Sequence, residues 1–346
     1  MTTGELVEFV RSSIDVKEPD QDVAAYLMLV SPSERLDDRT IEDLRAAGAG
    51  PAAMRLLTTL RGRSKSLPAP PQAASPSFPA PPSVAEQGEA IERVRRYALK
   101  YTASLPDFLC TQVTRRYVKD PLFWRLADTL TARVGYAGQK EEYKLVSVNG
   151  RPTSSPSLNS AGGATSEGEF GAMMAEVFNP ATEASFHWER WATLRARRAH
   201  VFSFRIAQER SHWRIEDARS KRQIVAGYHG LIFVDSGLLA VLRIVEVAEL
   251  PPTFPMQSVE DTLDYDLAGV GGHQYLLPLR VLVMLRAGAP PSDAMNASEF
   301  GNGNYQASGD TPAPPTDVVN DIEFGGYRKF AAESTVSFDD STPPPN

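Results

Sequence analysis

From Phe108 onward, apolar and polar side chains alternate with a period of two, in short runs closed by turn residues. The runs fall at 108–117, 125–136, 142–148, 223–234, 239–249, 263–268, 274–285 and 328–338, with a hairpin over 200–218. Their connections include Asn149-Gly150, Asp235-Ser236-Gly237 and a glycine turn at Gly269, Gly271 and Gly272. Turns this short cannot carry the crossover helices that parallel strands need, so the strands pair antiparallel. The pattern predicts an α+β chain built on one strongly curved antiparallel sheet. This half-barrel has about ten strands, with one or two helices packed on its concave side. One such helix is expected over 169–178, with Phe170, Met173, Met174 and Val177 on its inner side and Asn179-Pro180 at its end.

The hairpin can be followed residue by residue. With Glu209 and Arg210 as a two-residue loop, Ile206 faces Trp213, Phe204 faces Ile215 and Phe202 faces Asp217. That register gathers Phe202, Phe204, Ile206, Trp213 and Ile215 on one face, and a one-residue slip scatters them. It also sets Arg205 opposite Arg214, an unfavourable like-charge pair. These five apolar residues, with Phe170, Met173 and Met174, are the candidate ligand-binding face. A half-open sheet leaves such side chains to meet a helix, a ligand or a partner, and methionine suits a lid that repacks. The competing reading is a permanent dry core of helix against sheet.

Upstream, residues 1–66 read as a small unit of four short helices. Thr2 and Glu5 have capping-box spacing before Leu6, Phe9 and Val10, and Asp20 is placed to cap a second helix. Gly48 suits the end of a third helix and Pro51 the first turn of a fourth. So short a unit needs something to dock on. Residues 67–84 form a linker, and seven of the fifteen residues from Pro68 to Pro82 are proline. Such a spacer is semi-rigid and spans about 45 Å when extended. A helix over 85–104, ended by Pro106, opens a β-domain that runs from 85 to 340. A Pro/Gly/Asn-rich flexible loop is expected at 288–320 and a tail at 341–346.

Lys and Arg number 36 against 43 Asp and Glu, and the net charge of −7 gives no general attraction to nucleic acid or an anionic membrane. A single cysteine, Cys110, excludes an intrachain disulfide and any multi-cysteine metal site. The five histidines share no ligand spacing, so no metal and no cofactor are expected. No nucleophile elbow or comparable motif is present, no catalytic residue is nominated, and the chain reads as a non-enzyme. Gly269-Val270-Gly271-Gly272 precedes a strand rather than a helix, which makes it a hairpin turn and not a nucleotide loop. Asp264 and Asp266 share a strand face and read as solvated carboxylates rather than an acid pair or calcium site. No apolar run of 18 residues exists, so the chain is not transmembrane; Asp235, Arg243, Glu246 and Glu249 interrupt the greasiest stretch, 231–250. Glu5, Glu8 and Arg11 break any signal-peptide core, which taken literally keeps the chain in the cytoplasm.

One region is locally basic, with ten Lys/Arg against three Asp/Glu from Arg190 to Arg222. Arg195, Arg197, Arg198, Arg205 and Arg214 are either a patch for an anionic lipid, glycan or acidic partner, or an exposed face balanced by acids elsewhere. Gly48-Ala49-Gly50-Pro51, followed by Arg55, Arg61, Arg63 and Lys65, is similar to the turn of helix–hairpin–helix modules, whose amides contact a phosphate. Residues 1–50 carry five basic and eleven acidic groups and would repel DNA. Docking or oligomerisation is therefore the expected role of the helical unit, ahead of nucleic-acid contact.

A longer pattern runs through the second half. The strand Tyr228-His229-Gly230-Leu231-Ile232-Phe233-Val234-Asp235 turns into one carrying Arg243-Ile244, and Asp264-Tyr265-Asp266 and Leu276-Leu277-Pro278 follow. In this pattern residues 90–340 resemble the lipoprotein-carrier and lipoprotein-sensor superfamily of the bacterial envelope, the LolA/RseB type. The resemblance implies an unclosed barrel of about ten or eleven strands, with helices as a lid and acyl chains or a partner's apolar segment in the hollow. It also implies a periplasmic or cell-envelope location and a lipid or lipoprotein partner. The alternative is a structural scaffold whose residues 1–66 dock a protein partner.

Overall fold

The computed structural model describes residues 1–15, 18, 20–70, 79–119, 124–155, 157–158, 170–195, 197–217, 220–287 and 317–330. The N-terminal unit folds as α1 (Thr3–Asp15), α2 (Asp20–Leu29), α3 (Asp38–Ala47) and α4 (Pro51–Arg63). Val10, Leu27, Leu44 and Leu57 close a core of its own. The capping box forms, with Glu5 accepting from the Thr2 amide and Thr2 Oγ1 from the Glu5 amide. Gly48 ends α3 in the left-handed region, where its φ is 106°. Asp20 does something the sequence did not indicate: its carboxylate reaches across to α4 and accepts from the amides of Ala52 and Ala53 at 2.6 and 3.0 Å. Gly50 makes room for it, since a Cβ there would sit 2.2 Å from the Asp20 carboxyl carbon. The helix start that a phosphate would need thus already holds an anion from within the chain.

The β-domain opens with α5 (Val84–Ser104) and continues through β1 (Phe108–Lys119), β2 (Trp124–Ala137), β3 (Lys140–Val148) and β4 (Arg151–Pro152). Helix α6 (Ala172–Phe178) precedes β5 (Ser185–Leu194) and β6 (Arg197–Ile206). Then come the short β7 (Arg214–Glu216) and β8 (Gln223–Val225), followed by β9 (Gly227–Asp235) and β10 (Val241–Glu249). The long β11 (Met256–Val270), β12 (His273–Ala287) and β13 (Val318–Lys329) finish the described chain. Eleven strands form one antiparallel sheet in the order β4-β3-β2-β1-β13-β12-β11-β10-β9-β6-β5, which does not close, and β7 pairs with β8 beside it. The sheet class and helix placement follow the sequence reading. No described helix is long and apolar enough to cross a membrane.

Three local expectations are corrected. The hairpin over 200–218 does not form: β6 pairs with β5 on one side and β9 on the other, setting Phe202 opposite Trp188 and Ile232. Ile215 pairs with Ile224 in the small β7–β8 ribbon instead. The observed pairing relieves the like-charge contact that the hairpin imposed, because Arg205 meets Glu249 at 2.8 Å. Strand β5 was not anticipated at all. The last strand lies at Val318–Lys329 rather than 328–338, since Asp321, which reads as loop, is held inside the sheet by Arg280 at 2.6 Å. The expected loop thus ends earlier: 288–316 and 331–346 lie outside the described residues, as does Glu169 at the start of the expected 169–178 helix.

The curvature can be derived from aromatic contacts. The Phe170 ring lies 5.3 Å from Phe108 of β1 and 6.4 Å from Tyr136 of β2, while Phe178 stacks on Phe186 of β5 at 5.4 Å. Eight strand-to-strand steps separate β2 from β5, roughly 38 Å on a flat sheet at about 4.8 Å each. Residues 170 to 178 advance only about 12 Å as helix. Both contacts are met because the sheet curls around α6. Helix α5 lies in the same hollow, its Tyr101 hydroxyl donating to Leu276 O at 2.6 Å and its Arg95 over the Phe186 ring.

The helical unit sits on the opposite, convex face. Arg45 meets Glu260 at 2.9 Å and Thr262 at 3.2 Å, Glu42 meets Arg190 at 2.9 Å, and Arg55 lies over the Tyr117 ring at 4.7 Å. The linker therefore joins a unit on one face to a helix on the other, and Ala80 contacts Trp191 on edge strand β5 where the chain passes.

Candidate functional site

The hollow is built by alternation. Phe202, Phe204 and Ile206 project from β6 beside Trp188 and Phe186 of β5 and Ile232, Gly230 and Tyr228 of β9. All three are buried, as are Phe170 and Met174, while Met173 is half-buried at the rim of α6. Phe170 also meets Phe324 edge-on at 5.2 Å. The structure therefore brings these six candidate residues into one cluster. Trp213 packs at the border of this cluster, edge-on against its Tyr228 at 5.2 Å, and touches a second, smaller cluster as well. Ile215 belongs to a smaller apolar cluster with Ala226, Ala248, Phe254 and Val259. Helices α5 and α6 cover the apolar face, and Cys110 is buried on β1.

A row of polar side chains, interrupted by Val283, crosses this face between the two clusters. The registers line up Glu246 of β10, Asp261 of β11, Val283 of β12, Asn320 of β13, Arg116 of β1 and Asp128 of β2. Arg116 and Asp128 pair through two bonds of 2.6 and 2.5 Å. Glu246 is 4% exposed, and its Oε1 is buried with no hydrogen-bond partner among the described residues. Burial, with the Asp261 and Glu176 carboxylates adding to it, raises the Glu246 carboxyl well above its ordinary range. Burial and the same Glu246 and Glu176 charges raise the nearby Tyr228 hydroxyl. Glu176 projects from α6 and accepts from the His212 amide at 2.8 Å, with His212 Nδ1 at 3.1 Å. Helix α6 is thus tied from outside by the Glu176–His212 pair, and brings a third carboxylate towards the two below it.

Three of the five basic candidates, Arg195, Arg197 and Arg205, meet acids. Asp264 takes Arg243 through two bonds of 2.8 Å and Arg195 at 2.9 Å. Burial pushes the Asp264 carboxyl up, but these two guanidinium groups outweigh it and hold it below the ordinary range. Arg195 also meets Asp266 at 3.3 Å, and Arg197 meets Asp235 at 3.6 Å. Arg198 donates to Ser236 and lies over the Trp191 ring, while Arg214 is exposed on β7. The Asp264–Asp266 pair is therefore an ion-pair network, and Gly271 and Gly272, both at positive φ, make the β11–β12 hairpin turn.

No family model matches the chain, and no curated protein matches it. Several solved structures are similar. A LolA superfamily protein from Nitrosomonas europaea is 10% identical over 70% of this chain and 94% of its own, with a TM-score of 0.33. A DUF1329 family protein from Desulfovibrio piger is 8% identical over 71% of this chain and 95% of its own, with a TM-score of 0.31. A domain assigned to outer-membrane lipoprotein sorting, from Vibrio parahaemolyticus, is 8% identical over 70% and 92%, with a TM-score of 0.31. The LolA superfamily named by the sequence resemblance is thus among them.

Sequence reasoning missed two parts of the site. The aromatic edge of β5 escaped because a bulge between Trp188 and Arg190 breaks the alternation after Phe186 and Trp188. Glu246 was visible as a charge interrupting an apolar run, but only the sheet shows that it faces inward opposite Asp261.

Proposed function

We infer that this chain is a non-enzymatic binding protein of the bacterial envelope, taking a lipid, a lipoprotein or another apolar segment on the concave face. One observation carries the reading: the inner face of an unclosed sheet holds a large apolar cluster that is covered in part by a seven-residue helix. A helix that short has little stability of its own and can leave the sheet without unfolding it. Its inner face, with Phe170, Met173, Met174 and Val177, matches an aliphatic chain in chemistry, so one can replace the other. The orphaned Glu246 oxygen would accept from a hydroxyl or amine at the head of such a ligand.

The test is a titration of delipidated full-length chain with a fluorescent fatty acid. Saturable binding is expected. Glu176→Gln, which loosens the exposed pair to His212, should tighten it by about threefold, as roughly 0.6 kcal/mol of lid contact is removed. Trp213→Glu, which puts a charge beside Tyr228, should abolish it. A folded wild-type chain and a folded Glu176→Gln chain that both fail to saturate would remove the proposal.

A second reading, a scaffold that docks a protein partner, is favoured by Tyr26, Met28 and Leu29 of α2, which are exposed while α3 and α4 reach the sheet through Glu42, Arg45 and Arg55.

A further inference from the structure

The edge of β5 carries an aromatic cradle that neither core uses fully. The Trp188 indole N–H donates to His200 Nδ1 at 3.2 Å, and the Trp191 and His200 rings lie 4.1 Å apart. Arg198 also lies over the Trp191 ring, 5.3 Å from its centroid. Burial, with Arg198 adding to it, lowers the His200 imidazole, which suits its neutral, accepting role. Opposite the cradle lies Pro79-Ala80-Pro81-Pro82, and the Trp191 indole N–H donates to Ala80 O at 3.2 Å. A groove of about 620 Å³ runs between this tetrapeptide, Trp191, His200 and the first turns of α5.

These are the parts that proline recognition needs. Proline fixes its own φ and has no N–H, so a proline-rich segment stays extended and offers only carbonyl acceptors. Flat aromatic faces receive the rings, an indole N–H reads a carbonyl, and little conformational entropy is lost on binding. The chain also repeats the motif: Pro-Ala-Pro-Pro stands at residues 68–71 as well as at 79–82. We propose that the Trp191–His200 groove is a binding site for proline-rich segments, and that residues 79–82 are its resident ligand. Seated there, they latch the linker to the sheet edge between the helical unit on one face and α5 on the other. A proline-rich segment arriving from outside competes for the same indole and frees the latch.

The experiment uses the full-length chain with Pro79, Pro81 and Pro82 changed to Gly, and a labelled peptide of residues 77–84 followed by fluorescence anisotropy. The unlatched chain should bind the peptide saturably, and the wild-type chain at least tenfold more weakly, because its Trp191 indole N–H is already taken by Ala80 O. Adding Trp191→Phe to the unlatched chain keeps a ring but removes the donor, and should weaken binding at least threefold. Trp191→Ala should abolish it, with thermal melts confirming that each variant is folded. A peptide with its prolines changed to Ala should not bind. The proposal is overturned if the unlatched chain does not bind, if wild-type and unlatched chains bind equally, if Trp191→Phe changes nothing, or if the alanine peptide binds as well.

Discussion

At the residue scale, the two most constrained positions face each other across β9 and β10. Gly230 pairs with Glu246, and a Cβ on Gly230 would lie 1.7 Å from Val245 O. Backbone cannot yield there as a flexible side chain would. Gly230→Ala should therefore cost about 3 kcal/mol or more, against a median near 1 for point changes, and show as a large drop in melting temperature. Glu246 itself gives a pH prediction. Its carboxyl is raised in the folded chain by burial and by Asp261 and Glu176, so between the ordinary carboxylate range and that raised value the folded state holds a proton the unfolded state has released. Its contribution is intact at and below about pH 4.5 and is lost as pH rises. Glu246→Gln, neutral at every pH, should match the wild-type melting temperature near pH 4.5 and exceed it at pH 8. The gain should be roughly 2–4 °C, what about 1 kcal/mol amounts to in a domain of this size. Equal melting curves at both pH values would show that the inner row is already compensated.

At the element scale, what could be read from sequence was what neighbours along the chain decide. Asn149 and Gly150 both sit at positive φ where the turn pair predicted it, and Pro51 opens α4. Phe202, Phe204 and Ile206 share the inner face as the alternation demands. Their partners were not readable, because a period of two is satisfied equally by a local hairpin and by distant strands, and both flanks of β6 found better partners in β5 and β9. Helix α6 is the element on which the proposed binding role turns. Seven residues capped by no side chain at its start make a weak helix. Amides such as Ala175 and Val177 should exchange with deuterium at least a hundredfold faster than those of Ile232 and Ile244 in the sheet. Comparable protection would mean that α6 is fixed core and that the hollow does not open.

At the scale of the whole molecule, the contacts between two separate cores include ion pairs, the Arg45–Thr262 hydrogen bond and the Arg55–Tyr117 guanidinium–ring contact. Partly exposed ion pairs contribute up to about 1 kcal/mol each. Removing residues 1–66 should thus lower the melting temperature of the β-domain by less than about 10 °C and leave its transition cooperative. Loss of that transition would show the unit to be part of the main core. The short N-terminal helices, the antiparallel sheet and the shared face of Phe202, Phe204 and Ile206 were legible in the order of residues, since capping, turn chemistry and alternation act between atoms a few residues apart. Strand order, the curl around α6, the inward carboxylates and the seating of Pro79 to Pro82 against Trp191 were decided only in three dimensions. They arise from contacts between segments as distant in the chain as β1 and β13, where Phe108 pairs with Lys329, and their energies depend on which competing pairing buries more apolar surface and leaves fewer charges unpaired.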